Sequence, residues 1–156
     1  MVVRLASVED LEALCRLRID YLVADRGSLS ADEEAAVRKQ LQDYIPRCLG
    51  RSFVAVLAEV HGKVASTAFL AVAEKPANPA FITGLTGTLL NVLTYPAYRR
   101  RGLATKVLVR IIEEAKRLGL SSIELSATQE GRPLYEKLGF AEPRSDYTPM
   151  KLQLQP

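Results

Sequence analysis

The chain has 156 residues, 48% of them hydrophobic and 25% charged, with a net charge of +3. That length buries a core without metals or disulfides, and the composition is that of an ordinary globular protein, expected as a single domain over 1–156. The mild charge excludes nucleic-acid binding spread over the whole surface. No apolar run reaches the roughly eighteen residues of a membrane span, and the N-terminus carries no signal-peptide pattern, so a cytoplasmic location is expected.

The order of elements follows from periodicity and punctuation. Val2 to Ala6 reads as a strand. Ser7 caps the next helix with Asp10 in capping-box position, and Leu11, Leu14, Cys15, Ile19 and Leu22 share one face until Asp25-Arg26-Gly27 ends it. Ser30 and Glu33 cap a second helix with the stripe Val37, Leu41, Tyr44, Ile45 and Cys48, disturbed near its end by Pro46. Cys15 and Cys48 have neither CxxC spacing nor a nearby histidine, and read as buried reduced thiols rather than ligands.

Phe53–Val60 and Val64–Val72 are β-branched, apolar runs around His61-Gly62-Lys63, which predicts a hairpin. His61, the only histidine, falls at its tip as an exposed turn residue. Glu74–Ala80 is a loop, and Leu85–Thr94 is a long strand stopped by Tyr95-Pro96. Leu103, Val107, Leu108, Ile111, Ile112, Ala115 and Leu118 mark an amphipathic helix ended by Gly119. A strand over Ser122–Ala127, a short helix over Arg132–Leu138 and a last strand over Tyr147–Leu154 complete the order βααβββαβαβ. This is an α/β (α+β) pattern with a central mixed sheet flanked by helices.

Arg99-Arg100-Arg101-Gly102-Leu103-Ala104 joins the long strand to the amphipathic helix. Strand, basic turn and helix N-terminus together suit an anion, because free backbone N–H groups and the helix dipole converge there. Guanidinium groups add bidentate pairing with phosphate oxygens. Gly102 is expected to let the amides approach a diphosphate closely, with Ala104 small where the helix meets the sheet. Alone, this hexapeptide also fits a solvated basic face.

The segment Leu134-Tyr135-Glu136-Lys137-Leu138-Gly139-Phe140 follows after one strand. Together the two motifs resemble the GCN5-related N-acetyltransferase (GNAT) family, whose signature is Arg/Gln-x-x-Gly-x-Gly/Ala at the start of the central helix and LYxxxGF near the C-terminus. The match covers Leu85 to Phe140; the N-terminal half agrees only in element order. The resemblance implies a mostly antiparallel sheet and acetyl-CoA as acyl donor, with no metal. It implies that the amides of Arg99, Arg100, Arg101, Gly102, Leu103, Ala104 and Thr105 hold the pyrophosphate. By the same likeness the backbone of Val92, Leu93 and Thr94 runs along the pantetheine arm, one amide stabilising the tetrahedral oxyanion.

Tyr135 matches the family's tyrosine near the sulfur, which implies proton donation to the departing thiolate; a core aromatic on a short helix is the structural alternative. The family's asparagine seven residues before that tyrosine is Thr128 here. The Leu85–Thr94 strand contains no carboxylate, while Glu59, Asp25, Glu124 and Asp146 read as solvent-facing or turn residues, so no general base is assigned. Asp32-Glu33-Glu34 suits the helix dipole at the start of the second helix.

These readings predict an N-acetyltransferase that passes an acetyl group to a small-molecule or peptide primary amine by direct attack in a ternary complex. The alternative is a non-catalytic acyl-CoA-binding sensor or regulatory protein on the same fold. Neither nucleic acid nor a membrane is expected as a partner, and a homodimer is compatible with the pattern. Nothing in the first eighty residues selects the amine.

Overall fold

A computed structural model describes all residues from Met1 to Pro156, as two compact units, Met1–Ser126 and Ala127–Pro156. The first contains β1 (Val2–Leu5), α1 (Leu11–Arg26), α2 (Ala31–Cys48), β2 (Phe53–Val60), β3 (Lys63–Glu74), β4 (Leu85–Thr94), α3 (Leu103–Arg117) and β5 (Ser122–Glu124). Its five strands form one sheet in the order β1-β2-β3-β4-β5. The first three pairings are antiparallel and β4 pairs β5 in parallel. A parallel neighbour requires a crossover, and α3 provides it.

β2 is buried on both faces from Phe53 to Ala58, the mark of a central strand covered above and below. Phe53, Ala55 and Leu57 join Leu14, Leu17, Leu41, Ile45 and Phe69 on the side of α1 and α2. Phe53 meets Phe69 edge-on at 5.2 Å and Tyr44 at 5.3 Å. The alternate residues Val54, Val56 and Ala58 face the other way, and α3 packs on β2 and β3 through Leu103, Val107, Leu108 and Ile111. Cys15 and Cys48 are buried thiols outside any disulfide, as expected, and Cys48 Sγ accepts from Arg47 Nη1 at 3.6 Å.

The local signals work as chemistry predicts. Ser30 accepts from the Glu33 N–H at 3.0 Å while the Glu33 carboxylate accepts from the Ser30 N–H at 2.9 Å. The hairpin loop is His61-Gly62, both with positive φ (51° and 75°), the conformation a two-residue loop demands. Pro46 lies inside α2, which continues to Cys48.

The second unit contains one helix, α4 (Arg132–Lys137), opened by Pro133. No strand forms over Tyr147–Leu154; Tyr147, Met150, Leu152 and Leu154 are all exposed. Pro149 has no N–H to give a ladder and no strand pairs with the segment, so its alternation of apolar residues has no face to bury. β5 likewise ends at Glu124, three residues before its expected limit at Ala127. No helix is long and apolar enough to cross a membrane.

Candidate active site

β4 is an uneven strand. Its pairing with β3 skips a step: Leu90 faces Phe69 and Leu93 faces Thr67, so β4 spends an extra residue there. Asn91 takes up the bulge with φ 56°, an uncommon value for a side-chain-bearing residue. Its side chain is buried, with Oδ1 accepting from Arg18 Nη1 at 3.2 Å and Nδ2 donating to the Leu17 carbonyl at 3.4 Å. On its other edge β4 pairs β5 only from Thr86 to Thr88. Leu89 to Thr94 therefore present an edge with no strand beside it, and Val92, Leu93 and Thr94 lie on that stretch.

A short 3-10 turn, Pro96–Tyr98, leads from β4 into the arginine turn. Arg100 (φ 61°) and Gly102 (φ 73°) both adopt left-handed backbone there. The first helical bond of α3 runs from the Lys106 N–H to the Gly102 carbonyl at 3.2 Å. The N–H groups of Arg100, Arg101, Gly102, Leu103, Ala104 and Thr105 take part in no hydrogen bond within the protein. That is a run of oriented donors at the positive end of a helix dipole, the ordinary physics of an anion site. Arg99 Nε donates to the Thr94 carbonyl at 3.2 Å, tying the turn to the end of β4, and Arg101 lies over the Tyr98 ring at 5.7 Å.

A Cβ at Gly102 would meet no protein atom within 4 Å, so within the protein it is the positive φ that favours glycine here. Leu103, rather than Ala104, is the residue buried where α3 meets the sheet.

In the second unit the Thr128 hydroxyl accepts from the Gly131 N–H at 3.0 Å and closes the turn before α4. Tyr135 is half-buried, with its ring against Phe140 at 5.9 Å, and a Cβ on Gly131 would come within 3.3 Å of Tyr135 Cε2. The small residue thus makes room for the tyrosine ring.

The candidate carboxylates divide by environment. Glu59 accepts from Arg4 at 2.9 Å, and Asp25, Glu124 and Asp146 are exposed. A carboxylate not singled out by its sequence context, Asp20, lines a cavity of about 530 Å³ with Arg16, Ile19, Val23, Glu34 and Tyr95. It accepts from the Tyr95 hydroxyl at 2.6 Å and from Arg16 Nε at 3.2 Å. Burial first, and then the Asp20 hydrogen bond, push the Tyr95 phenol well above its ordinary pKa. No group of side chains in the chain is arranged to hold a metal ion.

A mixed sheet whose one parallel pairing stops at Thr88, with an amide-lined basic turn heading the crossover helix, is an acetyltransferase architecture. Residues 11–140 match the acetyltransferase (GNAT) family, and the chain belongs to it. Among solved structures it is similar to a predicted acetyltransferase from Clostridium acetobutylicum crystallised with acetyl-CoA, with a TM-score of 0.78, 26% identity, and coverage of 96% of this chain and 95% of that one. It is also similar to a GCN5-related N-acetyltransferase from Ralstonia eutropha JMP134, with a TM-score of 0.74, 26% identity, and coverage of 96% and 97%. A ribosomal-protein-alanine N-acetyltransferase from Brucella melitensis biovar Abortus 2308 shares the fold at 20% identity, a TM-score of 0.67 and coverage of 97% and 100%. No curated protein matches the chain.

Proposed function

We propose that this protein transfers an acetyl group from acetyl-CoA to a primary amine by direct attack in a ternary complex. One observation carries the reading: the unpaired edge of β4 over Leu89–Thr94 runs, through a single short turn, into the unbonded N–H groups of Arg100 to Thr105. An extended amide-bearing arm ending in a diphosphate has the chemistry to use both, pairing its amides with the strand and its phosphates with the turn. Acetyl-CoA in the Clostridium acetobutylicum relative supports the choice of donor.

In this reading Val92, Leu93 and Thr94 align the thioester, and one backbone N–H of that stretch stabilises the oxyanion. The amine nitrogen forms a bond to the carbonyl carbon, loses its proton to water, and the carbon–sulfur bond breaks. For the departing thiolate the family motif points to the Tyr135 hydroxyl as proton donor, with Thr128 as a further contact for the donor molecule. A thiolate leaves readily, since simple thiols have a pKa of about 8.5, so the donor adds to a step already feasible.

The test is native mass spectrometry of the purified protein with acetyl-CoA, followed by incubation with a panel of primary amines. Retained coenzyme A and an amine gaining an acetyl group are the expected results. Failure to bind acetyl-CoA, or unchanged binding after Gly102→Asp together with Arg99→Glu, removes the site assignment. Binding without transfer to any amine leaves an acyl-CoA-binding protein and removes the catalytic reading.

A further inference from the structure

The chain has a run of arginines at the phosphate turn, but the most informative arginine is elsewhere. Arg4, Arg16, Arg38, Arg47, Arg110, Arg117 and Arg132 each pair with a carboxylate. Arg26, Arg51, Arg99, Arg100, Arg101 and Arg144 are exposed. Arg18 alone is neither: it is half-buried on α1 and no carboxylate stands within ion-pair distance of it. Its contacts are the Asn91 side chain, through Nη1 at 3.2 Å, and the Tyr21 ring at 5.9 Å.

A guanidinium has five N–H donors, and here Nε and Nη2 make no hydrogen bond. No buried side-chain nitrogen or oxygen in the protein lacks a partner, so these two atoms are not sealed from solvent. A charge drawn partly out of water without a counterion is costly. Burial lowers the Arg18 pKa, the sign expected of a cation held without a compensating anion, with only weaker opposing effects from Tyr21 and Asp25 on the same helix. The position matters as much as the charge. Arg18 touches the side chain of Asn91, the bulged residue immediately before Val92, where the strand edge assigned to the thioester begins.

We propose that Arg18 binds a carboxylate carried by the acceptor, so that the amine acetylated by this protein belongs to an amino-acid-like molecule. This deepens the acetyl-transfer reading and rests on it for the identity of the reacting amine. Asn91 holds Nη1 in place, leaving Nη2 and Nε as a fork for the two carboxylate oxygens.

The experiment titrates the 15N-labelled full chain, with coenzyme A present, using N-acetyl derivatives of the common amino acids and the same compounds as neutral carboxamides. The readout is the chemical shift of the Asn91 side-chain amide. The inference expects at least one carboxylate to bind tenfold or more tighter than its carboxamide and to move the Asn91 signal. Arg18→Met should erase that ratio, and Arg18→Lys should recover part of it. Equal affinities across every pair in the unmodified protein overturn the inference without recourse to a variant. So does a ratio that survives Arg18→Met, which would leave Arg18 a purely structural support for Asn91. Because these are binding measurements, the carboxylate preference can stand even if no amine is acetylated, and acetyl transfer can stand with the preference absent.

Discussion

The Tyr95 hydroxyl donates to Asp20 Oδ2 at 2.6 Å, fastening the middle of α1 to the residue that follows β4. Asp20 also accepts from Arg16, so the carboxylate joins two donors from different elements at the wall of the cavity. Hydrogen bonds to charged groups contribute about 1.5–3 kcal/mol, and Asp20 keeps Arg16 when the phenol is removed. Tyr95→Phe is therefore expected to lower unfolding stability by about 1–2 kcal/mol at pH 7 in urea titrations. The same pair sets an alkaline dependence. The folded Tyr95 pKa lies above its ordinary value of 10.0, so the folded state holds the phenol proton longer than the unfolded chain does. The stabilisation is complete below the unfolded value and declines as pH rises beyond it. Wild-type stability should fall more steeply above pH 10 than that of Tyr95→Phe, with the share due to Tyr44, also raised by burial, common to both proteins.

A second charge cluster gives the opposite sign at the acid end. Arg4 donates to both Asp10 oxygens, at 2.8 and 2.9 Å, and to Glu59 at 2.9 Å, joining β1, β2 and the turn before α1. The Arg4 hydrogen bonds lower the Asp10 pKa from 3.8 to about 2, against an opposing effect of burial. Stability from a depressed carboxylate is present above its unfolded pKa and is lost as pH falls through the folded one. After discounting for the partial exposure of Arg4, Asp10→Asn is expected to cost about 1–2 kcal/mol at neutral pH. The difference from wild type should shrink between pH 4 and pH 2, as read by thermal unfolding across that range.

What could be read before the fold was known depended on distance along the chain. The β2–β3 hairpin, β4 and α3 are contiguous patterns, and each forms where periodicity and turn residues place it. The arginine turn is legible for the same reason, since its amides, glycine and cations are neighbours. Asp20–Tyr95 and Arg18–Asn91 join residues 75 and 73 positions apart, and no local spacing marks either pair. The polar Asn91 within an apolar strand was the available hint: a buried amide in such a run must find partners or bend the strand, and this one does both. Tyr147–Leu154 shows the converse. Its alternation reads as a strand, but alternation stabilises a strand only where a sheet edge and a core face receive it.

Gly102 separates backbone strain from steric crowding. Left-handed backbone costs a residue with a Cβ about 1–2 kcal/mol, whereas asparagine tolerates it better. Since no atom lies within 4 Å of a Cβ at this position, Gly102→Ala and Gly102→Asn differ in strain rather than in a clash with the protein. Gly102→Ala is expected to lower stability by about 1 kcal/mol and Gly102→Asn by less. Acetyl-CoA affinity should follow the same order, because the conformation at Gly102 aims the first amides of α3. Calorimetric titration beside thermal unfolding measures both, and equal losses from the two variants would show that ligand crowding, not φ, governs the position.

The proton-donor role proposed for Tyr135 can be tested by changing the leaving group. General acid catalysis matters most when the departing anion is unstable. A thiolate is stable enough that Tyr135→Phe should reduce kcat by only about tenfold, below the usual range for a general acid. An oxygen-ester analogue of acetyl-CoA releases a far more basic alkoxide, so the same substitution should cost that substrate at least ten times more than it costs the thioester. Gly131→Ala provides an independent control. Its Cβ would press within 3.2 Å of Thr128 Oγ1 and 3.3 Å of the tyrosine ring, so it is expected to shift the ring slightly while keeping the hydroxyl. It should therefore reproduce part of the leaving-group dependence while keeping the tyrosine. Equal losses with both esters would assign Tyr135 to packing against Phe140 rather than to the sulfur.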